Sequence, residues 1–173
     1  MASFKALDDG SVELWAVNDT LNSIDAELEI AMRTFGGETV WSDSITASID
    51  ANRVEMVWRA ERKRLAADRR HILTVRPHDN IFPANRHFFA PIKDLDRPPP
   101  PAPEINLEQR GAHEIAVHLK GAAYLYFVHI LVANERTRFS DNYFDLADGE
   151  AKTILVRNEA VALSPDDVVV RWR

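Results

Sequence analysis

The chain has 173 residues, of which 46% are hydrophobic and 28% charged, a balance typical of a globular protein and not of a disordered one. It contains no cysteine, which excludes a disulfide framework, a thiolate nucleophile and a zinc–cysteine site. A formal net charge of −6 argues against a nucleic-acid partner, because such proteins carry an excess of Lys and Arg. No apolar run approaches the ~20 residues of a membrane helix, so we expect no membrane partner; the compartment stays open.

Short strands separated by turns fill the first half of the sequence. Residues 26–33 alternate between apolar and polar side chains, which predicts a half-buried strand with Ala26, Leu28, Ile30 and Met32 on its inner face. The pair Gly36-Gly37 predicts a hairpin turn into the next strand. Residues 12–17, 45–49, 54–59 and 71–75 extend the series, and in 54–59 we place Val54, Met56 and Trp58 on one face. This spacing is typical of a β-sandwich.

A charged stretch, RAERKRLAADRR at residues 59–70, interrupts the strands. Its six basic side chains could bind an anion, but its acidic neighbours and the overall charge favour a solvated loop with a single helical turn. The proline-rich residues 98–103 mark the clearest boundary, because successive prolines cannot join a sheet and favour an extended spacer. We therefore predict one domain over residues 1–97, a linker over 98–103 and a second domain over 104–173.

The second half repeats the strand pattern of the first. Residues 115–119 alternate, and residues 122–132, AAYLYFVHILV, are apolar on both faces, as expected of a central strand or one shielded by another domain. Asp148-Gly149 between two β-prone runs predicts a hairpin, because Gly adopts a positive φ without strain and Asp tolerates it. The predicted fold class is all-β, with two tandem β-sandwich domains.

Three segments of the sequence resemble motifs of a known enzyme family. FSDNYFDL at residues 139–146, followed by a Gly-Glu turn and a Lys-Thr strand, resembles the last domain of family 2 glycoside hydrolases of the β-mannosidase type, which is an immunoglobulin-like sandwich. LWAVNDT at residues 14–20 resembles the opening strand of the immunoglobulin-like domain that follows the catalytic barrel in these enzymes. NRHFFAPIKDL at residues 85–95 resembles the closing strand of that domain.

The resemblance implies two accessory domains that support a catalytic (β/α)₈ barrel of the same parent chain, where two carboxylates hydrolyse terminal β-mannosides. A barrel needs ~250 residues. No Asp or Glu here lies in a string that matches the catalytic motifs of the family, so we assign no catalytic residue and expect no cofactor. The alternative is a carbohydrate-binding or adhesion-type sandwich with no enzymatic parent.

Aromatic and polar side chains supply the remaining candidates for a site. Sugars stack on aromatic rings, although core packing or contact with the barrel is the favoured role of the aromatics; for a sugar platform the first candidates are Tyr124 and Tyr126. His129 lies in an apolar run, which predicts a hydrogen-bonded core residue and not a metal ligand. Four side chains could offer oxygen to Ca²⁺, but turn chemistry explains them equally well and we predict no metal site: Asp141, Asn142, Asp145 and Asp148.

Overall fold

Two units make up the chain, and each is a sandwich of antiparallel strands. The computed structural model describes residues 1–65, 68–79 and 81–173. Its contacts divide the chain into unit 1, Met1–Arg97, and unit 2, Pro98–Arg173. Each unit pairs one three-stranded sheet with one four-stranded sheet. The prediction of an all-β fold with two sandwiches is confirmed. Among the described residues, no helix has the length and apolar content that a membrane crossing requires.

Unit 1 contains seven strands and little helix. One sheet has the order β1-β2-β5 and the other the order β4-β3-β6-β7. The strands are β1 (Ala2–Ala6), β2 (Val12–Asn18), β3 (Ile24–Thr34), β4 (Thr39–Ile49), β5 (Arg53–Ala60), β6 (His71–Pro77) and β7 (Asn85–Phe88). A one-turn helix α1 (Arg62–Leu65) follows β5, and a 3₁₀ turn covers Ile92–Asp94.

The alternating pattern of β3 positions the core of unit 1. The side chains of Ala26, Leu28, Ile30 and Met32 are all buried and pack in one hydrophobic cluster with residues of the opposite sheet, such as Leu14. β3 and β4 pair as a hairpin from Ile24↔Ile49 to Arg33↔Thr39, as the Gly-Gly turn predicts. β1 was not expected from the sequence; it pairs with β2 along the edge of its sheet.

The assignment of Val54, Met56 and Trp58 to one face of β5 is wrong. Trp58 is buried, whereas Val54 and Met56 are 58% and 47% exposed. The reason is a bulge: Leu14 pairs with Trp58 while its neighbour Trp15 pairs with Met56, so one extra residue of β5 interrupts the ladder. Beyond a bulge, the side chains that faced the core face solvent instead. A prediction from the alternation of apolar and polar residues cannot detect this change.

The charged segment after β5 contains the single helical turn that we predicted, and Ala66 and Ala67 lie outside the described residues. Its basic side chains bind carboxylates. Arg59 contacts Asp9 and Glu13 at 3.3 and 3.4 Å, Arg64 contacts Asp43 at 2.5 Å, and Arg70 contacts Asp68 at 2.7 Å. The segment is therefore a surface whose charges are neutralised locally. The string PHDN at residues 77–80 predicts a turn, and its last residue, Asn80, also lies outside the described residues.

Unit 2 has the same arrangement of three strands against four. The sheet orders are β12-β10-β14 and β11-β13-β9-β8. The strands are β8 (Glu104–Gly111), β9 (Glu114–Lys120), β10 (Leu125–Leu131), β11 (Arg138–Phe139), β12 (Phe144–Leu146), β13 (Ala151–Arg157) and β14 (Val169–Arg171). The proline-rich residues 98–103 precede β8 without joining a strand. β10 is the central strand of its sheet, as its apolar sequence indicates.

The hairpin predicted at Asp148-Gly149 does not form, although the turn does. β12 pairs with β10 and β13 pairs with β9, so the two flanking strands belong to different sheets. Gly149 has the expected positive φ of 69°. The turn instead packs on Gly121, where an added Cβ would lie 2.2 Å from the carbonyl oxygen of Ala147. Turn chemistry fixes a reversal of the chain, but the partners of the strands decide whether it is a hairpin.

Candidate functional site

Three polar side chains of residues 139–146 replace backbone groups of neighbouring strands. The side-chain oxygen of Asn142 accepts a hydrogen bond from the Ile130 N–H at 2.9 Å, and its amide donates to the Ile130 carbonyl at 3.0 Å. Asn142 thus pairs with β10 as a strand backbone would. The Ser140 hydroxyl accepts from the Leu155 N–H at 3.0 Å and supports β13 in the opposite sheet.

Asp145 holds the beginning of β10. One oxygen of its carboxylate accepts from the Phe127 N–H at 3.0 Å, and the other accepts from the Tyr124 hydroxyl at 2.5 Å. Between these contacts the register of β10 against β12 shifts, at residues 125–128. The carboxylate therefore satisfies a backbone donor that the irregular ladder leaves without a strand partner.

Two aromatic residues at this place have left-handed backbone conformations. Phe127 has φ 55° and Tyr143 has φ 63°. For a residue with a Cβ this conformation costs about 1–2 kcal/mol, and it is rare for bulky side chains. A glycine at either position would avoid the cost. The side chains of Asn142 and Asp145 hold the backbone on both sides of the strained residues, so the strain is built into the fold.

The strained residues present an aromatic cluster, which consists of Tyr126, Phe127, His129 and Tyr143. The ring of Tyr143 is 5.2 Å from that of Phe127 and 5.6 Å from that of His129, and it is nearly parallel to the imidazole. Phe127 also lies 5.8 Å from both Tyr126 and His129. Tyr143 is 58% exposed and Phe127 37% exposed. The cluster is thus an outward surface of unit 2 and not part of its core.

Polar groups of the cluster retain capacity for hydrogen bonds. The Nδ1 atom of His129 contacts the Phe127 carbonyl at 3.2 Å. Within residues 1–65, 68–79 and 81–173, neither the Tyr143 hydroxyl nor His129 Nε2 has a hydrogen-bond partner. Arg171 of β14 pairs with His129 in the sheet and lies beside the cluster. An apolar ring surface therefore adjoins donors and acceptors that face solvent.

The two tyrosines predicted as a sugar platform occupy different environments. Tyr124 precedes β10, is only 8% exposed and donates its hydroxyl to Asp145. Tyr126 is half-buried and contacts Phe127 at the margin of the aromatic cluster. Sequence parity placed these tyrosines on one face and did not identify Phe127; Tyr143 was one of the aromatic residues that could serve a platform, but not a first candidate. The available signal was the string Asn142-Tyr143, since an Asx turn before an aromatic residue indicates an exposed turn.

His129 is not a core residue, contrary to the prediction. It is half-buried and stacks on Tyr143 at the outer face of β10. The four candidate calcium ligands have structural partners or lie apart: Asp141 contacts Lys152 at 2.5 Å, whereas Asn142 and Asp145 bind strand β10. In the part of the chain that the structure describes, no three His, Cys, Asp or Glu side chains converge as metal ligands would.

Tryptophans of unit 1 serve mainly to close its core. Trp41 stacks on Trp58 with 6.2 Å between ring centroids, and both pack against the hydrophobic cluster of the unit. The Trp58 indole N–H donates to Asp43 at 2.9 Å, and the guanidinium of Arg64 lies 4.9 Å from the Trp41 ring. These contacts cover ring faces of Trp41 and Trp58.

The carboxylates of unit 1 with perturbed pKa values, Asp9 and Asp68, are exposed groups that accept hydrogen bonds. Hydrogen bonds from the side chain and backbone of Arg70 lower the pKa of Asp68 from 3.8 to about 2, with a smaller contribution from His71. Hydrogen bonds from Ser11 lower the pKa of Asp9. Both shifts favour the ionised carboxylate. A catalytic acid needs the reverse, a carboxyl pKa raised toward neutrality.

A shallow cleft of about 660 Å³ lies beside β11 and β13 of unit 2. Arginine, glutamate and small side chains line it, including Arg138, Arg157 and Glu159. Arg157 is already bound to Glu114 across β9. The cleft is therefore lined by charged surface groups, one of which is neutralised by its strand neighbour Glu114.

Comparisons with known proteins agree with this architecture. Residues 10–94 match the family model of the mannosidase Ig/CBM-like domain, and residues 101–172 match the model of the mannosidase Ig-fold domain. A β-D-mannosidase from Dictyoglomus thermophilum superposes on 99% of this chain with a TM-score of 0.81 and 16% identity. The exo-chitosanase of Amycolatopsis orientalis covers 99% of the chain with a TM-score of 0.50 and 14% identity. No curated protein matches the sequence.

The fold is thus a tandem pair of immunoglobulin-like β-sandwiches. By its family models, the chain belongs to the immunoglobulin-like accessory domains of mannosidase-type glycoside hydrolases. The resemblance of the three sequence strings to this family is confirmed. The chain spans 21% of the length of the Dictyoglomus mannosidase and 25% of that of the chitosanase.

Proposed function

We propose that the chain is the non-catalytic C-terminal region of a β-mannosidase-type glycoside hydrolase, in which it braces a catalytic (β/α)₈ barrel. The observation that carries the proposal is that the two mannosidase domain models match consecutively, in one chain, over residues 10–94 and 101–172. The likeness in fold to a β-D-mannosidase over 99% of the chain supports the same assignment.

The chemistry of the two units supports a role without catalysis. Retaining hydrolysis of a glycoside requires two carboxyl groups about 5–5.5 Å apart, one of them with a raised pKa. The carboxylates with a resolved shift, Asp9, Asp68 and Glu108, all have lowered pKa values and bind basic or hydroxyl side chains. The glycosidic reaction of the parent therefore belongs to the barrel.

Exposed apolar side chains in unit 1 are suited to contact with such a barrel. Val54 and Met56 face outward from β5 because of the bulge beside Trp58. An exposed aliphatic surface on a rigid sheet packs against a neighbouring domain at little entropic cost, since the strands are already ordered. The exposure of these residues supports the bracing role and makes them the first to test.

We expect the chain alone to hydrolyse a chromogenic β-mannoside at the buffer rate, because the described carboxylates with a resolved shift all have lowered pKa values, the reverse of what a catalytic acid needs. The measurement is release of 4-nitrophenol from 4-nitrophenyl β-D-mannopyranoside, with an active β-mannosidase as the positive control. In the proposed parent, deletion of the region that corresponds to this chain is expected to shorten the thermal half-life of the activity, while Val54→Ser with Met56→Ser shortens it in part. Turnover by the chain that survives repurification and disappears in a single Asp or Glu variant would contradict the proposal.

The second candidate function is carbohydrate binding without an enzymatic parent. The exposed aromatic cluster of unit 2 is the observation that favours it. Discrimination between the two is direct: a brace alters the stability of an attached catalytic domain, whereas a binding module acts in its absence. The two functions are also compatible in one molecule, because Val54 and Met56 belong to unit 1 and the aromatic cluster to unit 2.

A further inference from the structure

We propose that the aromatic cluster of unit 2 is a binding site for a pyranoside, whose sugar ring stacks on Tyr143 and contacts Phe127. This site goes beyond the bracing role, because it belongs to the chain whether or not a catalytic barrel is attached. The apolar face of a pyranose consists of C–H bonds, which pack favourably on the electron-rich face of an aromatic ring. Exposure, backbone strain and hydrogen-bonding capacity at the cluster all support such a site.

Exposure of the rings has no explanation in the folding of unit 2. The core of the unit is formed by other residues of β10, Leu125, Val128 and Ile130, which are all buried. Tyr143, with 58% of its surface exposed, gains little from burial that could offset its left-handed conformation. Strain of this kind persists where a side chain must be presented in a fixed direction.

The surroundings of the rings are preorganised for a small ligand. Asn142 and Asp145 fix the backbone on each side, through bonds of 2.9 and 3.0 Å to Ile130 and Phe127. His129 supports one side of the Tyr143 ring by stacking at 5.6 Å with an angle of 13° between the planes. A ring held in place before binding loses little conformational entropy when a ligand arrives.

Polar groups at the margin match the hydroxyls of a sugar. The Tyr143 hydroxyl and His129 Nε2 both have unused capacity within the described residues, and Arg171 is the sheet partner of His129. Exposed ring faces beside such polar groups are the combination that a pyranose, with an apolar face and peripheral hydroxyls, requires.

The proposal is tested by titration of the ¹⁵N-labelled chain with β-1,4-mannobiose and with methyl β-D-mannopyranoside. We expect saturable shifts of the amide signals of residues 127–130 and 142–144, with a Kd on the order of 1 mM, because one open ring face and few hydrogen bonds give weak affinity. Sorbitol is the control ligand: it carries comparable hydroxyls but no ring face, and it should cause no saturable shift.

Two variants separate the ring from its hydroxyl. Tyr143→Asn is expected to weaken binding at least about tenfold and to leave the melting temperature within a few degrees, because asparagine tolerates the left-handed conformation. Tyr143→Phe keeps the ring and should retain most of the affinity. Absence of saturable shifts with either mannoside, equal shifts with sorbitol, or unchanged affinity in Tyr143→Asn would overturn the proposal. None of these results touches the bracing role, which is measured on the attached catalytic domain.

Discussion

Replacement of Asn18 by alanine is expected to lower the free energy of unfolding of unit 1 by about 3 kcal/mol. Asn18 is 2% exposed at the end of β2. Its amide donates to the carbonyls of Asn22, Ile49 and Asp50 at 2.8, 3.1 and 3.1 Å. Its side-chain oxygen accepts from the N–H and the hydroxyl of Thr20 at 3.0 and 2.8 Å. The truncation leaves several of these groups unsatisfied, and unsatisfied groups in a buried place cost more than an average hydrogen bond contributes.

Urea unfolding followed by tryptophan emission measures this effect, because Trp15, Trp41 and Trp58 all lie in unit 1. Asn22→Ala is the matched control: its side chain is exposed and the carbonyl that binds Asn18 is kept, so its effect should stay within about 0.5 kcal/mol. The slope of the unfolding free energy against urea should not change. Equal midpoints for the two variants would show that Asn18 does not link the loops it contacts.

Sequence patterns predicted the strands whose side chains alternate without interruption. β3 and β9 alternate, and the large apolar side chains that the pattern assigns to the core, such as Leu28, Ile30 and Val117, are buried; Ala31 and Ala116 on the opposite faces are buried as well. The Gly-Gly turn between β3 and β4 also gave the correct partner strand. Here the strands are adjacent in sequence and in the sheet, so local turn chemistry and tertiary pairing agree.

Predictions failed where tertiary pairing overrides a local signal. The Asp148-Gly149 turn forms with its positive φ, yet β12 and β13 pair with β10 and β9 in separate sheets. The local sequence determines the turn, but it does not determine which strands the two flanking strands pair with. The same limit applies to β5, because the bulge opposite Leu14 and Trp15 arises from its pairing with β2 and leaves no mark in its own alternation.

The sequence pattern did not predict the composition of the aromatic cluster, for a related reason. Strand parity cannot tell which face of β10 is outside, so His129 was assigned to the core and Phe127 was overlooked. The positive φ of Phe127 and Tyr143 has no signature in residue type, since neither residue favours that conformation. By contrast, Asn142 and Asp145 lie in the string that resembles the family, and their bonds to β10 give that string a physical reason.

The two units, expressed as residues 1–97 and 98–173, are each expected to fold and to unfold in a cooperative transition of their own. Each hydrophobic cluster draws its members from a single unit: Leu28, Ile30 and Leu73 are typical of the first, and Ile115, Leu125 and Ile154 of the second. A buried core of this kind supports independent folding. Unit 2 should be the less stable, because a smaller domain buries a smaller fraction of its surface.

Circular dichroism and tryptophan emission test this prediction in the separate units and in the intact chain. The intact chain should show two transitions, with Trp172 reporting on unit 2 and the other three tryptophans on unit 1. Limited trypsin digestion adds an independent control: cleavage is expected at the exposed Lys93, whereas the bond after Arg97 resists because Pro98 follows it.

A single unfolding transition of the intact chain would contradict the prediction of two independent units. If the intact chain unfolds in a single transition and both separate units lack β-type circular dichroism, the hydrophobic clusters require each other to be stable. The boundary at residues 98–103 would then separate two parts of one cooperative structure, and the proline-rich segment would serve as an internal connection. If only unit 1 folds on its own, the deficit lies in the smaller core of unit 2, which includes Leu146 and Ile154.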